Sequence, residues 1–184
     1  ETRWGAVPVA PPLRGRHNVW NITAAAAALL ALGIPATAVR EGLSAIERVP
    51  GRLERVPNES GLNVLIDYAH TADALRLALL SLRELSRGRL IVIFGCGGDR
   101  DHTKRPVMGR IASLIADHVV LTSDNPRTEE PLDIIHQIKA GFAPTFRQFQ
   151  ITPDREQAIA SVLAEARADD TILIAGKGHE AYQI

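Results

Sequence analysis

The stretch Leu90-Ile91-Val92-Ile93-Phe94-Gly95-Cys96-Gly97-Gly98-Asp99-Arg100-Asp101 decides the fold. Its first five residues are all apolar, so neither face of a strand made from them would suit water. Such a run predicts a strand buried on both faces, as in a parallel sheet covered by helices. The chain then turns at once to glycine and charge. A helical pattern follows over 103–115, so the stretch reads as one strand–loop–helix unit.

The same unit recurs on both sides. Downstream, HVVLT at 118–122 is a second buried strand, 131–141 a helix, 146–151 a strand, 154–168 a helix and TILIA at 171–175 the last strand. Upstream, 53–56 and 62–67 read as strands and 72–85 as a helix. This alternation predicts an α/β fold with a Rossmann-like, doubly wound, mainly parallel sheet. Ligands of such sheets bind outside the carboxyl ends of the strands. Four strand ends carry suitable loops: Asp67-Tyr68-Ala69-His70, Gly95 to Asp101, Ser123-Asp124-Asn125-Pro126-Arg127, and Gly176-Lys177-Gly178-His179-Glu180. All four are expected along one rim.

Before residue 50 the pattern differs. Residues 1–16 read as an extended, proline-bearing arm. A helix is expected over 18–32 with Gly33 capping it, and a second over 35–46 with Pro35 in its first turn. The breaker pair Pro50-Gly51 then marks a boundary, which divides the chain into 1–49 and 50–184. The abrupt start at Glu1 and the apolar close at Ile184 read as cut ends, so the chain is expected to be a fragment.

Composition narrows the function. Lys plus Arg is 21 and Asp plus Glu is 21. That balance gives no basic excess for nucleic acid or a membrane surface. The longest apolar run, 22–34, is shorter than the roughly 20 residues that cross a bilayer. Cys96 is the only cysteine, so an intrachain disulfide is impossible and a zinc cluster unexpected; a cytoplasmic protein fits.

The loops exclude some chemistry and leave other readings open. Arg100 stands where a G-x-G-x-x-G pattern beginning at Gly95 needs glycine, and Gly176-Lys177 is followed by Gly178 instead of the Ser or Thr of a P-loop. Asp99 and Asp101 are either ligand contacts or caps of the next helix. Arg100 is expected at the rim with Lys104 and Arg105, cations suited to a carboxylate or phosphate. Asp124, Asn125 and Pro126 suit a turn, but Arg127 is a natural fork for a carboxylate. Asp67 suits either ribose hydroxyls or a helix cap. His179 is a surface histidine on its own merits, and no neighbouring base makes Cys96 a nucleophile.

Taken together, HNVWN at 17–21, PGRLE at 50–54, DYAHTADAL from 67, FGCGGDRDHTKRPVMG from 94, DNPR at 124–127 and AGKGHEAYQ from 175 resemble the Mur ligase family, in particular its diaminopimelate-adding, MurE-type branch. The resemblance runs over nearly the whole chain. It implies that 1–49 ends a central ATP-binding domain and that 50–184 is the carboxyl-terminal amino-acid-binding domain. It implies nucleotide contacts by Asn18, Asn21, Arg52 and Asp67. It further implies a meso-diaminopimelate pocket made by Arg100, Asp124, Asn125, Pro126, Arg127, Gly176 and Glu180. No residue is assigned to catalysis or to a metal. ATP and magnesium belong to the complete enzyme, with ATP, meso-diaminopimelate and a UDP-linked muramoyl dipeptide as its small-molecule partners.

Diaminopimelate is lysine with a second carboxylate. Arg127 would pair with that group while Glu180 holds the amine beside it. If that pair is buried, losing one partner costs about 3–5 kcal/mol, which would discriminate against lysine. The sequence departs from the family pattern at His17, where phenylalanine is usual, at Ala72, where proline is usual, and at His102-Thr103, where Lys-Gly is usual. The family's UDP-sugar domain, P-loop, magnesium ligands and modified lysine have no counterpart in this sequence, so the chain alone is expected to be inactive. Two other readings use the same loops: a folylpolyglutamate- or cyanophycin-synthetase-like ligase, and a non-catalytic module that binds a small molecule.

Overall fold

The computed structural model describes residues 5–13 and 15–183. Its elements are α1 (Arg16–Ala31), α2 (Ala36–Ser44), β1 (Glu54–Arg55), β2 (Asn63–Asp67), α3 (Ala72–Arg83), β3 (Leu90–Phe94), α4 (Lys104–Ile115), β4 (His118–Leu121), α5 (Pro131–Lys139), β5 (Phe149–Ile151), α6 (Arg155–Glu165) and β6 (Thr171–Ala175). The six strands form one sheet in the order β1-β2-β6-β3-β4-β5. Only β1 runs antiparallel to its neighbour. The fold is the doubly wound α/β arrangement that the apolar strands imply.

β3 shows why. Successive strand side chains point to opposite faces. Leu90, Val92 and Phe94 pack with Leu75, Leu79 and Leu82 of α3, Met108 and Ala112 of α4, and Ile134, Ile135 and Ile138 of α5. Ile91 and Ile93 pack on the other face with Ala158 and Val162 of α6. All five β3 residues are buried. Burying a side chain of this size contributes about 1.5–3 kcal/mol, so β3 alone anchors both layers.

The helix ends follow local chemistry. Thr71 caps α3 by accepting from Ala74 N. Asp154 caps α6 by accepting from Gln157 N at 2.9 Å. Pro131 occupies the first turn of α5, where its missing N–H costs nothing. Gly33, at φ +83°, ends α1 as expected, with its N–H on Leu30 O and that of Ile34 on Leu29 O. The α1–α2 hairpin encloses its own cluster around Leu30, Val39 and Leu43, separate from the two sheet cores.

Some expectations need correction. α1 begins at Arg16 and α2 is shorter than 35–46, with Pro35 preceding it as cap. β5 begins at Phe149, not 146. Phe146 N instead closes a turn onto Ala143 O, and its ring stacks edge-on against Phe142. Residues 6–13 carry no regular structure, while positions 1–4 and 14 of the expected arm, and the final residue, lie outside the described residues. Among the described residues no helix is long and apolar enough to cross a membrane.

Candidate functional site

Strand register builds the rim. Asp67 pairs with Ala175, Ile93 with Ile174, and Phe94 with Leu121, so β2, β6, β3 and β4 all end at one level. The four loops that follow them converge on a cleft of about 450 Å³. Arg100, Asp124, Asn125, Arg127, Gly176 and Glu180 all line it. Six of the seven residues expected in the amino-acid pocket thus share one space. The seventh, Pro126, does not line it but supports the rim from behind. Its carbonyl approaches Gly98 so closely that a Cβ there would sit 1.9 Å from the oxygen. That approach is open only to glycine.

The cleft carries both signs of charge. Arg100 and Arg127 are exposed cations; Asp124 and Glu180 are half-buried acids. Arg127 adopts a left-handed backbone, φ +54°, and its Nη1 donates to Gly98 O at 2.8 Å and Asn125 O at 3.3 Å. Exposure of Arg127 removes the basis for a fully buried ion pair. Glu180 accepts from Tyr68 Oη at 3.1 Å and from Asn125 Nδ2 at 3.5 Å.

The loops are tied to one another from below. Lys177 is buried and donates to Asn125 Oδ1 at 2.9 Å and to Tyr182 O at 2.6 Å, with Asp124 and Glu180 about an ion-pair distance away at 4.0 and 3.9 Å. Burial lowers its pKa, opposed by those two acids. Arg155 of α6, also buried, donates to Ser123 O and Ala175 O and so clamps the ends of β4 and β6.

Arg105 corrects the expected trio of rim cations. It is fully buried and makes a two-pronged pair with Glu129, Nη1 to Oε2 at 2.7 Å and Nη2 to Oε1 at 2.8 Å. It also donates to Gln137 and to Gly97 O. Its role is to pin α4 under the glycine loop. That hydrogen bond pulls the Glu129 carboxyl down to about 2. Lys104 does line the cleft, with its ammonium on His70 O at 2.8 Å.

The two aspartates of the glycine loop separate. Asp101 turns the chain into α4 by accepting from Thr103 N and Oγ1. Asp99 reaches across to Thr128 Oγ1 at 2.6 Å and caps no helix. Asp67 caps none either, since Thr71 caps α3; its carboxylate accepts from Leu53 N at 2.8 Å and so ties β2 to the turn after Pro50.

A second hollow, about 320 Å³, opens between α1, the Arg52 turn and α3, lined by His17, Asn21, Arg52, Asp67, Ala74 and Leu77. Three of the four expected nucleotide contacts are therefore together. Asn18 is buried beside them, its Oδ1 accepting from Asn21 Nδ2 at 3.5 Å. Burial raises the pKa of Asp67, with the N–H of Leu53 and then His17 acting against it. The Nε2 of His17 is buried with no protein partner among the described residues. Among those residues no group of three His, Cys, Asp or Glu side chains converges to hold a metal ion.

Tyr68, His70 and Lys177 were not singled out from sequence as site residues. Each lies in a strand-end loop that was, and taking every polar side chain of those loops would have found them. Cys96 lines the cleft but is buried, which raises its thiol to about 11 and leaves it inert as a nucleophile near neutrality.

Known proteins resemble this chain over most of its length. A family model described as "Mur ligase, glutamate ligase domain" matches residues 51–178. A UDP-N-acetylmuramoyl-L-alanyl-D-glutamate–2,6-diaminopimelate ligase of Gloeobacter violaceus is 51% identical over 181 residues, which is 98% of this chain and 37% of that protein. A solved structure of a ligase of the same name is 40% identical and superposes at a TM-score of 0.70, covering 99% of this chain and 37% of the other. A folylpolyglutamate synthase of Mycobacterium tuberculosis, solved with ADP and AMPPCP, gives a TM-score of 0.72 at 26% identity, over 91% of this chain and 39% of its own. The chain spans 36–39% of the length of the first curated relatives it matches.

Proposed function

Because this chain belongs to the Mur ligase family, we propose that it forms the amino-acid-binding part of an ATP-dependent amide ligase that adds meso-diaminopimelate to UDP-N-acetylmuramoyl-L-Ala-D-Glu in peptidoglycan synthesis. The observation that carries the reading is the shared cleft: Arg100, Arg127, Asp124 and Glu180 all line one space. A ligand with two carboxylates and two amines offers a complementary charge to each of these four groups. A guanidinium pairs with a carboxylate through parallel N–H donors, and the acids hold ammonium groups.

The second hollow fits the nucleoside part of ATP. The Asp67 carboxylate suits ribose hydroxyls, Arg52 is a cation at the turn, and the unpartnered Nε2 of His17 offers a further polar contact. When bound, the nucleotide supplies the phosphoryl group that activates the dipeptide carboxylate as an acyl phosphate. The residues of this chain hold the incoming amino acid so that its free amine meets that carbon, where the C–N bond forms as phosphate leaves. We assign 1–49 to the end of a nucleotide-binding domain and 50–184 to the amino-acid-binding domain. Val19 and Trp20 on α1, 64% and 73% exposed, suit a face that meets the rest of the first domain. In this reading magnesium belongs to the complete enzyme, held by parts of it outside these residues.

The folylpolyglutamate reading shares the fold, but Asp124-Asn125-Pro126-Arg127 with the Glu180 loop favours diaminopimelate. In the complete enzyme, ATP-dependent ADP release should require meso-diaminopimelate and proceed far more slowly with L-lysine or L-glutamate. Equal turnover with glutamate would reverse the assignment.

A further inference from the structure

Tyr68 lines the first cleft and also contacts Arg52, a lining residue of the second hollow. Its Oη donates to Glu180 Oε1 at 3.1 Å. The guanidinium carbon of Arg52 lies 5.2 Å from its ring centroid, within cation–π range. Its N–H donates to Gly51 O at 2.8 Å. Gly178, in the loop that carries Glu180, presses so closely that a Cβ there would lie 2.7 Å from Tyr68 Cβ. The phenol thus runs from the Pro50-Gly51 turn to the acid of the amino-acid cleft, and none of the assigned site residues makes both contacts.

We propose that Tyr68 is a positioning residue: its hydroxyl fixes Glu180 to receive the amine of the incoming amino acid, while its ring seats Arg52 beside the nucleotide. The role rests on the assignment of the cleft to diaminopimelate. Without the hydroxyl, Glu180 keeps only the longer contacts to Asn125 and Lys177 and samples several orientations, so binding weakens at that end alone. The ring still seats Arg52. The hydroxyl and the ring therefore serve different substrates.

Two measurements test this. The first is spectroscopic and needs no turnover. The Glu180 contact raises the Tyr68 phenol pKa above its ordinary value, with lesser upward contributions from burial and Tyr182 and a downward one from Arg52. The chain has only two tyrosines, so 13C-Cζ NMR with Tyr182→Phe for assignment resolves them. Glu180→Gln should return the Tyr68 titration toward the ordinary range; an unchanged titration overturns the contact. The second is kinetic, in the complete enzyme. Tyr68→Phe should raise KM for diaminopimelate about 5- to 30-fold, with KM for ATP and kcat within about twofold. Tyr68→Leu, which also removes the ring, should raise both KM values. A merely structural role would lower kcat and shift both KM values together in Tyr68→Phe, and that result, or wild-type kinetics, overturns the proposal. Failure of the substrate assignment looks different: wild-type enzyme then shows no diaminopimelate-dependent turnover while the phenol shift persists. That also overturns the proposal, because Glu180 would have no amine to meet.

Discussion

Arg127 divides its guanidinium between the protein and the cleft. Nη1 is committed to Gly98 O and Asn125 O, whereas Nε and Nη2 have no hydrogen-bond partner among the described residues. The free edge is the part that can take a carboxylate. Arg127→Ala in the complete enzyme should remove a charge-assisted contact of about 1.5–3 kcal/mol, a loss of roughly 10–200-fold in kcat/KM for diaminopimelate. The exposure of Arg127 sets this figure in place of the larger one for a buried pair. Lysine lacks the carboxylate and should lose little. Because φ is +54° here, arginine and alanine carry the same backbone strain. Arg127→Gly relieves that strain and should show the same selective loss. Equal losses for both amino acids would make Arg127 a loop-forming residue only. Glu129 allows a second test, of pH dependence. Its carboxyl is pulled to about 2 in the folded chain, against an ordinary value of 4.5. A depressed folded pKa means stabilisation that is complete above the unfolded value and is lost as pH falls from about 4.5 toward 2. Glu129→Gln should therefore melt lower than wild type at pH 6, and the difference should shrink as pH falls through that window. A constant difference in Tm from pH 6 to pH 2.5 would show that the Arg105 pair is not ionic in origin.

At the scale of elements, close packing decides more than pattern does. α4 meets α5 at Gly109, where a Cβ would lie 1.9 Å from Ile138 O, a backbone atom that cannot swing aside. Gly109→Ala should raise helix propensity yet force the helices apart, a net cost of about 1–3 kcal/mol. A thermal melt reads the outcome, and a Tm equal to or above wild type would show that α5 yields freely. Most elements were legible because their apolar residues repeat at helical or strand spacing, as in α3, where Leu75, Ala78, Leu79 and Leu82 are the buried stripe. β5 was overextended because Phe146 looks like a strand residue, although its ring is committed to Phe142 in a turn. Arg105 was misplaced for a similar reason. Its charge suggests the rim, but it falls on the inner face of α4, and only the position of Glu129, 24 residues on, shows that the charge is matched there.

Across the whole molecule, the class of fold and the location of the cleft were readable, while the strand order was not. β6 inserts between β2 and β3, and nothing in the apolar run at 171–175 distinguishes a central neighbour from an edge one. The cleft survived that gap because every parallel strand points its carboxyl end to the same rim, whatever the order. Tyr68 and Lys177 act through contacts between loops far apart in sequence, so the loop pattern marks them as candidates but not their roles. The proposed division of labour between the two hollows leads to a last prediction. All six cleft-lining residues assigned to diaminopimelate lie in these 184 residues, but the sequence has no P-loop, because Gly176-Lys177 is followed by Gly178. Binding and activation should therefore separate. The chain by itself should bind meso-diaminopimelate, so that a concentration near 100 times Kd stabilises it by about 2.7 kcal/mol in a thermal melt, with lysine giving much less. Supplied with ATP, magnesium, the UDP-linked dipeptide and diaminopimelate, it should form no amide and release no ADP. ADP release coupled to product would show that these residues activate the carboxylate themselves, and the second hollow would then have to be read as a complete catalytic nucleotide site.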